Sequence, residues 1–223
     1  MCQFFATETA LLFNSGFDAN VGFFSCISQK GDVIVYDEYV HASIYDGMHA
    51  SCVDWERLTP FAHNSVEALH LALTTARNQI ENRQSMFVAI ESLYSMDGMF
   101  APLTEMVEVI DNIFPAGNAY FIVNEAHSMG IYGPQGRSHV AMLGLENRVL
   151  ACLYTFGKAL AVSGAVIVTN TVVRDYLLNY ARPLIYTTSP THATIIAADA
   201  SFDMLIDGTA SYLHLLSLVC LLI

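Results

Sequence analysis

Four short runs place groups that can hold or move a proton directly behind apolar stretches: Asp37 to His41, Glu91 to Asp97, Asn124 to His127 and Thr155 to Lys158. The third lies in VNEAHSMG (123–130), so an amide, a carboxylate and an imidazole fall within four residues. The fourth, YTFGKALAVSGAV, sets Lys158, one of nine basic residues, in an otherwise apolar stretch. An amine there is partly desolvated, which lowers its pKa and frees the lone pair to attack a carbonyl carbon. The competing reading is a lysine that lays its methylenes on apolar surface and keeps its charge in water.

These groups need a scaffold that brings them together. Short apolar runs predict strands at 32–37, 86–92, 119–125, 149–155 and 163–169. Runs of this length and kind suit strands buried on both faces. Between them, helical spacing predicts helices over Asp18–Ser28, Ser65–Asn82, Leu103–Phe114, Val172–Ala181 and Thr191–Ile206. The alternation implies an α/β fold with a mostly parallel sheet. The runs 149–155 and 163–169 are joined by FGKALAVS alone, too short for a helical crossover, so they are expected to pair antiparallel. Open α/β sheets collect ligands at the carboxyl ends of their strands, where all four runs lie. Strand alternation further sends Asn124 and Glu125 to opposite faces.

Composition narrows the function. Apolar residues make up 54% of the 223 and charged residues 13%, against a usual charged share of roughly 25%. The formal charge of −12 argues against nonspecific nucleic-acid binding, which needs a basic surface. An anion can still be held by backbone N–H groups at a helix start. Five cysteines (2, 26, 52, 152 and 220), scattered and without a C-x-x-C pair, suit reduced thiols rather than disulfides or a metal site, and with them a cytoplasmic location. No secretory signal is recognised at the N-terminus. The end SYLHLLSLVCLLI is 13 residues from Ser211, short of the ~20 a membrane span needs.

Seven stretches in order, NSGFDAN, DEYVHASIYDG, FAHN, ESLYSMDGMFAPL, EAHSMGIYGPQGR, TFGKALAVSGA and ARPLIYTTSP, resemble the α-oxoamine synthases. These are pyridoxal-phosphate (PLP) enzymes of fold type I within the class I/II aminotransferase superfamily, and the likeness is strongest to the 8-amino-7-oxononanoate synthase branch. It covers about Thr7 to Asp203. The resemblance implies a three-layer PLP-dependent transferase large domain that condenses an amino acid with an acyl-CoA and releases CO2. It makes Lys158 the lysine that carries PLP and moves the substrate's α-proton, and His41 the histidine stacked on the ring. Ser95 and His127 match residues bonding the ring's phenolic oxygen or the substrate. Ser15, Gly16 and Phe17 match a phosphate-holding turn, with Thr155 as a further phosphate contact. Thr187 and Thr188 match a stretch that reaches the other subunit's phosphate in a dimer, here a homodimer or a heterodimer with a homologue. Each has a plainer alternative: His41 as a loop histidine, SMDG as a turn, and NSGFDAN as a strand-to-helix turn capped by Asp18. His63, His70 and His139 read as structural, and Gly130, Gly133 and Gly136 as loop geometry.

Three departures set this chain apart. Asn124 stands where the family pattern has an aspartate, the partner of the ring nitrogen. Against the pattern, the N-terminal segment and the C-terminal domain, with its substrate-gripping arginine, are expected to be missing. Residues 1–206 are thus expected to form an incomplete cofactor-binding domain, followed by a divergent apolar tail at 207–223. A catalytically impaired fragment, or a non-catalytic partner of a complete synthase, is therefore a second expectation.

Overall fold

The computed structural model of the protein describes residues 1–80 and 84–208. Among these, one seven-stranded sheet forms from β1 (Thr9–Phe13), β2 (Val33–Asp37), β3 (Leu58–Phe61), β4 (Met86–Glu91), β5 (Ala119–Asn124), β6 (Ala151–Thr155) and β7 (Ala165–Thr169). Its order is β1-β7-β6-β5-β4-β2-β3. Strands β2 to β6 run parallel, and β7 pairs antiparallel with both β6 and β1. The antiparallel pair predicted from the short FGKALAVS link is thus present.

The helices are α1 (Cys2–Phe5), α2 (Gly16–Cys26), α3 (Ala42–His49), α4 (Val66–Arg77), α5 (Leu103–Ile113), α6 (His139–Met142), α7 (Thr171–Tyr180), α8 (Arg182–Ile185) and α9 (His192–Ile206). They make the outer two of three layers. Strand alternation divides the core: Val35, Val88 and Val123 pack with Leu69 of α4, Met106 of α5 and Phe202 of α9. On the other face Ile34, Ala89 and Ile122 pack with Phe23 of α2, Ile44 of α3 and Leu177 of α7. Each large side chain so buried contributes about 2 kcal/mol.

The structure adds strands β1 and β3 and helices α1, α3, α6 and α8 to the predicted elements. Both strands are sheet edges, and β3 carries Pro60, which cannot donate to a ladder and is tolerated at an edge. The structure also corrects the cap of α2. Ser15, not Asp18, is the N-cap: its Oγ accepts from Asp18 N and donates to the Asp18 carboxylate. The helix therefore starts at Gly16, two residues earlier than predicted. No helix among the described residues is long and apolar enough to cross a membrane. Apart from Asp207 and Gly208, the apolar tail lies outside the described residues.

Candidate active site

The carboxyl ends of β4, β5 and β6 face the first turn of α2 across a cleft of about 190 Å³. Glu91, Asn124 and Thr155 come from the strand ends, Gly16, Phe17 and Asn20 from α2, and His41 and Lys158 from the adjoining loops. Glu91 and Asn124 are direct partners across the β4–β5 ladder, so both side chains leave the same face. A larger hollow of about 390 Å³ opens at the opposite end of the sheet beside Glu8, Glu146 and Arg148. It contains no lysine or histidine and lies away from the strand ends where α/β sheets take ligands.

The α2 edge is built for an anion. Ser15 Oγ satisfies Asp18 N, which leaves the N–H groups of Gly16 and Phe17 without intrahelical acceptors. A Cβ on Gly16 would lie 3.0 Å from both Cβ and Oγ1 of Thr155. Glycine alone lets the helix start approach that hydroxyl so closely. The two free N–H groups, the hydroxyl and the positive end of the helix dipole converge on one spot.

Three titrating groups, His41, Glu91 and Lys158, line the cleft, and His127 touches it through Lys158. Lys158 Nζ lies 2.7 Å from His127 Nε2. Burial holds the Lys158 amine below its ordinary pKa, with Glu91 pulling the other way. Burial, then Lys158 and His41, push His127 down to about 4. His127 is therefore neutral at pH 7, and when Lys158 carries its proton the ammonium donates to a bare Nε2. His41 is likewise lowered, by burial and then by Lys158. Glu91 is pushed up to about 7, burial being the main cause.

Asn124 and Glu125 part company as alternation requires. Asn124 Oδ1 accepts from Ala126 N at 2.9 Å, so its NH2 arm is the one left for the cleft. Glu125 is fully buried on the other face, accepting from Ser92 Oγ, Ser128 Oγ and Val140 N.

Other predicted residues lie outside the cleft. The Ser15 hydroxyl is taken up by capping. Ser95 sits on an exposed turn whose Asp97 is bound by His63. Thr187 Oγ1 and the Thr188 carbonyl accept from Asn14 of the same chain, next to the α2 turn. His63 bridges Asp37 and Asp97, and His139 packs on Phe100. Glu91, which opens the second strand-end run, lines the cleft, and so does Asn20, a polar residue that the sequence did not single out. Asn20 follows Gly16 by four, one helical turn on the same face.

The model of the aminotransferase class I and II family matches residues 1–211. An 8-amino-7-oxononanoate synthase of Emericella nidulans is 45% identical over 96% of this chain and 52% of its own length. The aminoacyl transferase sphA of Aspergillus fumigatus is 41% identical over 93% of this chain and 45% of its own. A serine palmitoyltransferase from S. paucimobilis, solved with a bound PLP–myriocin aldimine, superposes with a TM-score of 0.82 at 33% identity, covering 92% of this chain and 48% of that one. This chain thus spans about half the length of the relatives it matches. With a helix start, a lysine–histidine pair and an amide gathered at the ends of parallel strands, the chain belongs to the aminotransferase class I and II family, in its α-oxoamine synthase branch.

Proposed function

We propose that this chain is the cofactor-binding part of a pyridoxal-phosphate-dependent acyltransferase. The reaction joins an amino acid to the acyl group of an acyl-CoA thioester, releasing CoA and CO2 to give an α-oxoamine, as in 8-amino-7-oxononanoate synthesis. The observation that carries this is Lys158, an amine of depressed pKa held 2.7 Å from a neutral histidine beside an anion-binding helix start.

The donor set fits the cofactor. The N–H groups of Gly16 and Phe17 and the Thr155 hydroxyl suit a phosphate dianion, and the cradle exists because residue 16 lacks a Cβ. When bound, PLP supplies an aldehyde for an amine and a conjugated ring that accepts an electron pair from the substrate's α-carbon. Lys158 would carry the cofactor and, once displaced by the substrate amine, take up and return the α-proton. Its depressed pKa keeps a larger neutral fraction ready for both tasks. His127 Nε2, 2.7 Å away, shares a hydrogen bond with Nζ and aims it. His41 offers a neutral ring to a flat ligand, and Asn124 would bear on the ring; Ser95, on its exposed turn, stands outside this cleft.

The proposal extends to a homodimer or a heterodimer with a homologue, in which Thr187 and Thr188 serve the neighbouring site. Exposed Met96, Met99, Tyr186 and Ile196 support a subunit contact. A cytoplasmic location is in keeping with the unpaired thiols of Cys2, Cys26, Cys52 and Cys152.

Addition of PLP to the purified chain should give a visible absorbance band, and borohydride should then fix the cofactor's mass to the Lys158 peptide. Equal PLP retention by Lys158→Ala would refute the assignment. Asn124 favours a second reading, an impaired fragment or non-catalytic subunit, because an amide lacks the charge that raises a partner's pKa. Co-purification with a complete homologue and no turnover alone would favour it; turnover by the isolated chain would exclude it.

A further inference from the structure

His41 caps α3, and its Nδ1 receives the backbone N–H of Ser43 at 3.2 Å. The same nitrogen lies 2.7 Å from Ser43 Oγ. A backbone N–H can only donate, so Nδ1 carries no proton and the Ser43 hydroxyl must donate to it too. Ser43 Oγ in turn accepts from Asn20 Nδ2 at 2.8 Å. Rotating that amide would spend the hydroxyl hydrogen on Asn20 and leave two lone pairs facing each other across the 2.7 Å gap. The direction Asn20 to Ser43 to His41 is therefore set from both ends.

The chain of donors is rigidly housed. Asn20 is 4% exposed and Ser43 fully buried. Gly47 lets α2 and α3 close up, since a Cβ there would lie 2.8 Å from Phe24 Cβ and 3.0 Å from the Asn20 carbonyl oxygen. Asn20 Oδ1 has no partner, so the amide is held by its bond to Ser43. His41 Nε2 has no acceptor among the described residues.

We propose that Asn20 and Ser43 are positioning residues that hold His41 in its Nε2–H tautomer, giving the cleft a fixed N–H donor suited to a carboxylate or carbonyl oxygen. The groups around His41 are Lys158 and His127, which oppose its protonation, Asp46, which favours it, and Glu91, which receives its backbone N–H. The use of this donor rests on the cleft being a cofactor site; the relay itself exists in the cofactor-free chain and is tested there.

The test is two-bond 1H–15N NMR of histidine-labelled, cofactor-free 223-residue chain, with the His41 signals assigned by their loss in His41→Gln. The wild type should show the Nε2–H form. Ser43→Ala removes a donor that opposes protonation of Nδ1. Asn20→Leu frees Ser43 Oγ to accept from a protonated ring. Each should raise the proton affinity of His41 about tenfold, although Asn20 does not touch His41. Ser43→Thr, which keeps the hydroxyl, should titrate as wild type. A wild-type Nδ1–H tautomer, or titration unchanged in both Ser43→Ala and Asn20→Leu, would overturn the relay. Should Asn20→Leu not fold, the wild-type tautomer and Ser43→Ala decide. Failure of PLP to label Lys158 would refute the cofactor reading and leave these spectra unaffected.

Discussion

Glu91 should make the protein less stable as the pH rises from 4.5 to 7, and removing its charge should abolish that loss. The side chain is 4% exposed and its pKa is pushed from 4.5 up to about 7. Burial is the main cause, opposed by the His41 backbone N–H and Lys158 and helped by Asp37. Over this window the folded chain keeps a proton that the unfolded chain has lost, so stability falls with pH. Each unit of raised pKa corresponds to about 1.4 kcal/mol, giving about 3 kcal/mol once the group is ionised in both states. Glu91→Gln keeps an oxygen to accept the His41 N–H and cannot ionise. Urea unfolding at pH 4, 6 and 8, followed by near-UV circular dichroism, should find the two proteins similar at pH 4. At pH 8 the variant should be more stable by about 3 kcal/mol. Glu125 is also raised by burial, but it is present in both proteins and cancels in the difference. Parallel pH profiles, or a variant less stable at pH 8, would refute the reasoning. A carboxyl kept buried against this penalty, beside an amine of depressed pKa, is what a working cleft maintains.

Glu125→Ala should lower unfolding free energy by about 3–5 kcal/mol, since Ser92, Ser128 and Val140 N all lose their acceptor and a cavity opens. Glu125→Gln should restore most of it in the same urea titration. Gly16→Ala forces Thr155 and the α2 start apart; equilibrium dialysis should show PLP retention reduced at least ~10-fold, for about 1–2 kcal/mol of overpacking. For His63, burial opposes the charge, but the bonds to Asp37 and Asp97 outweigh it and raise its pKa. Its contribution is therefore complete below the ordinary histidine range and fades as pH rises through the raised value. His63→Leu should cost about 2 kcal/mol at pH 5, less at pH 9, and hasten proteolysis of the 95–99 turn.

What could be read in advance follows burial. Val33 to Asp37, Met86 to Glu91 and Ala165 to Thr169 are buried at every position, and an unbroken apolar run is how such strands look in sequence. The edge strands lack that signature: Thr9 to Phe13 is half exposed, and Pro60 interrupts Leu58 to Phe61. Helix α3 was hidden because Ala42 to His49 is short and contains Gly47; its place is set by His41 at its N-cap and by contact with α2, neither of which is local. In the site, the strand-end rule led to the runs that hold His41, Glu91, Asn124, His127, Thr155 and Lys158. Asn20 escaped through one misplaced cap. With Asp18 taken as the helix start, Gly16 lay off the helix, and its i, i+4 relation to Asn20 disappeared.

The strand end 124–125 shows why residue type alone could not settle the chemistry. The charged candidate, Glu125, turns into a closed network of Ser92, Ser128 and Val140 N, while the neutral one turns into the cleft. There Ala126 N takes the Asn124 oxygen, so residue 124 presents a donor where a carboxylate would present an acceptor. The acid that remains in the cleft comes from the next strand, as Glu91, the ladder partner of Asn124. At this end of the sheet the negative charge sits one strand over from position 124, and it is complete only above about pH 7. A ligand group lying against Asn124 is therefore met by a hydrogen-bond donor at every pH, and by a neighbouring charge only when Glu91 has released its proton.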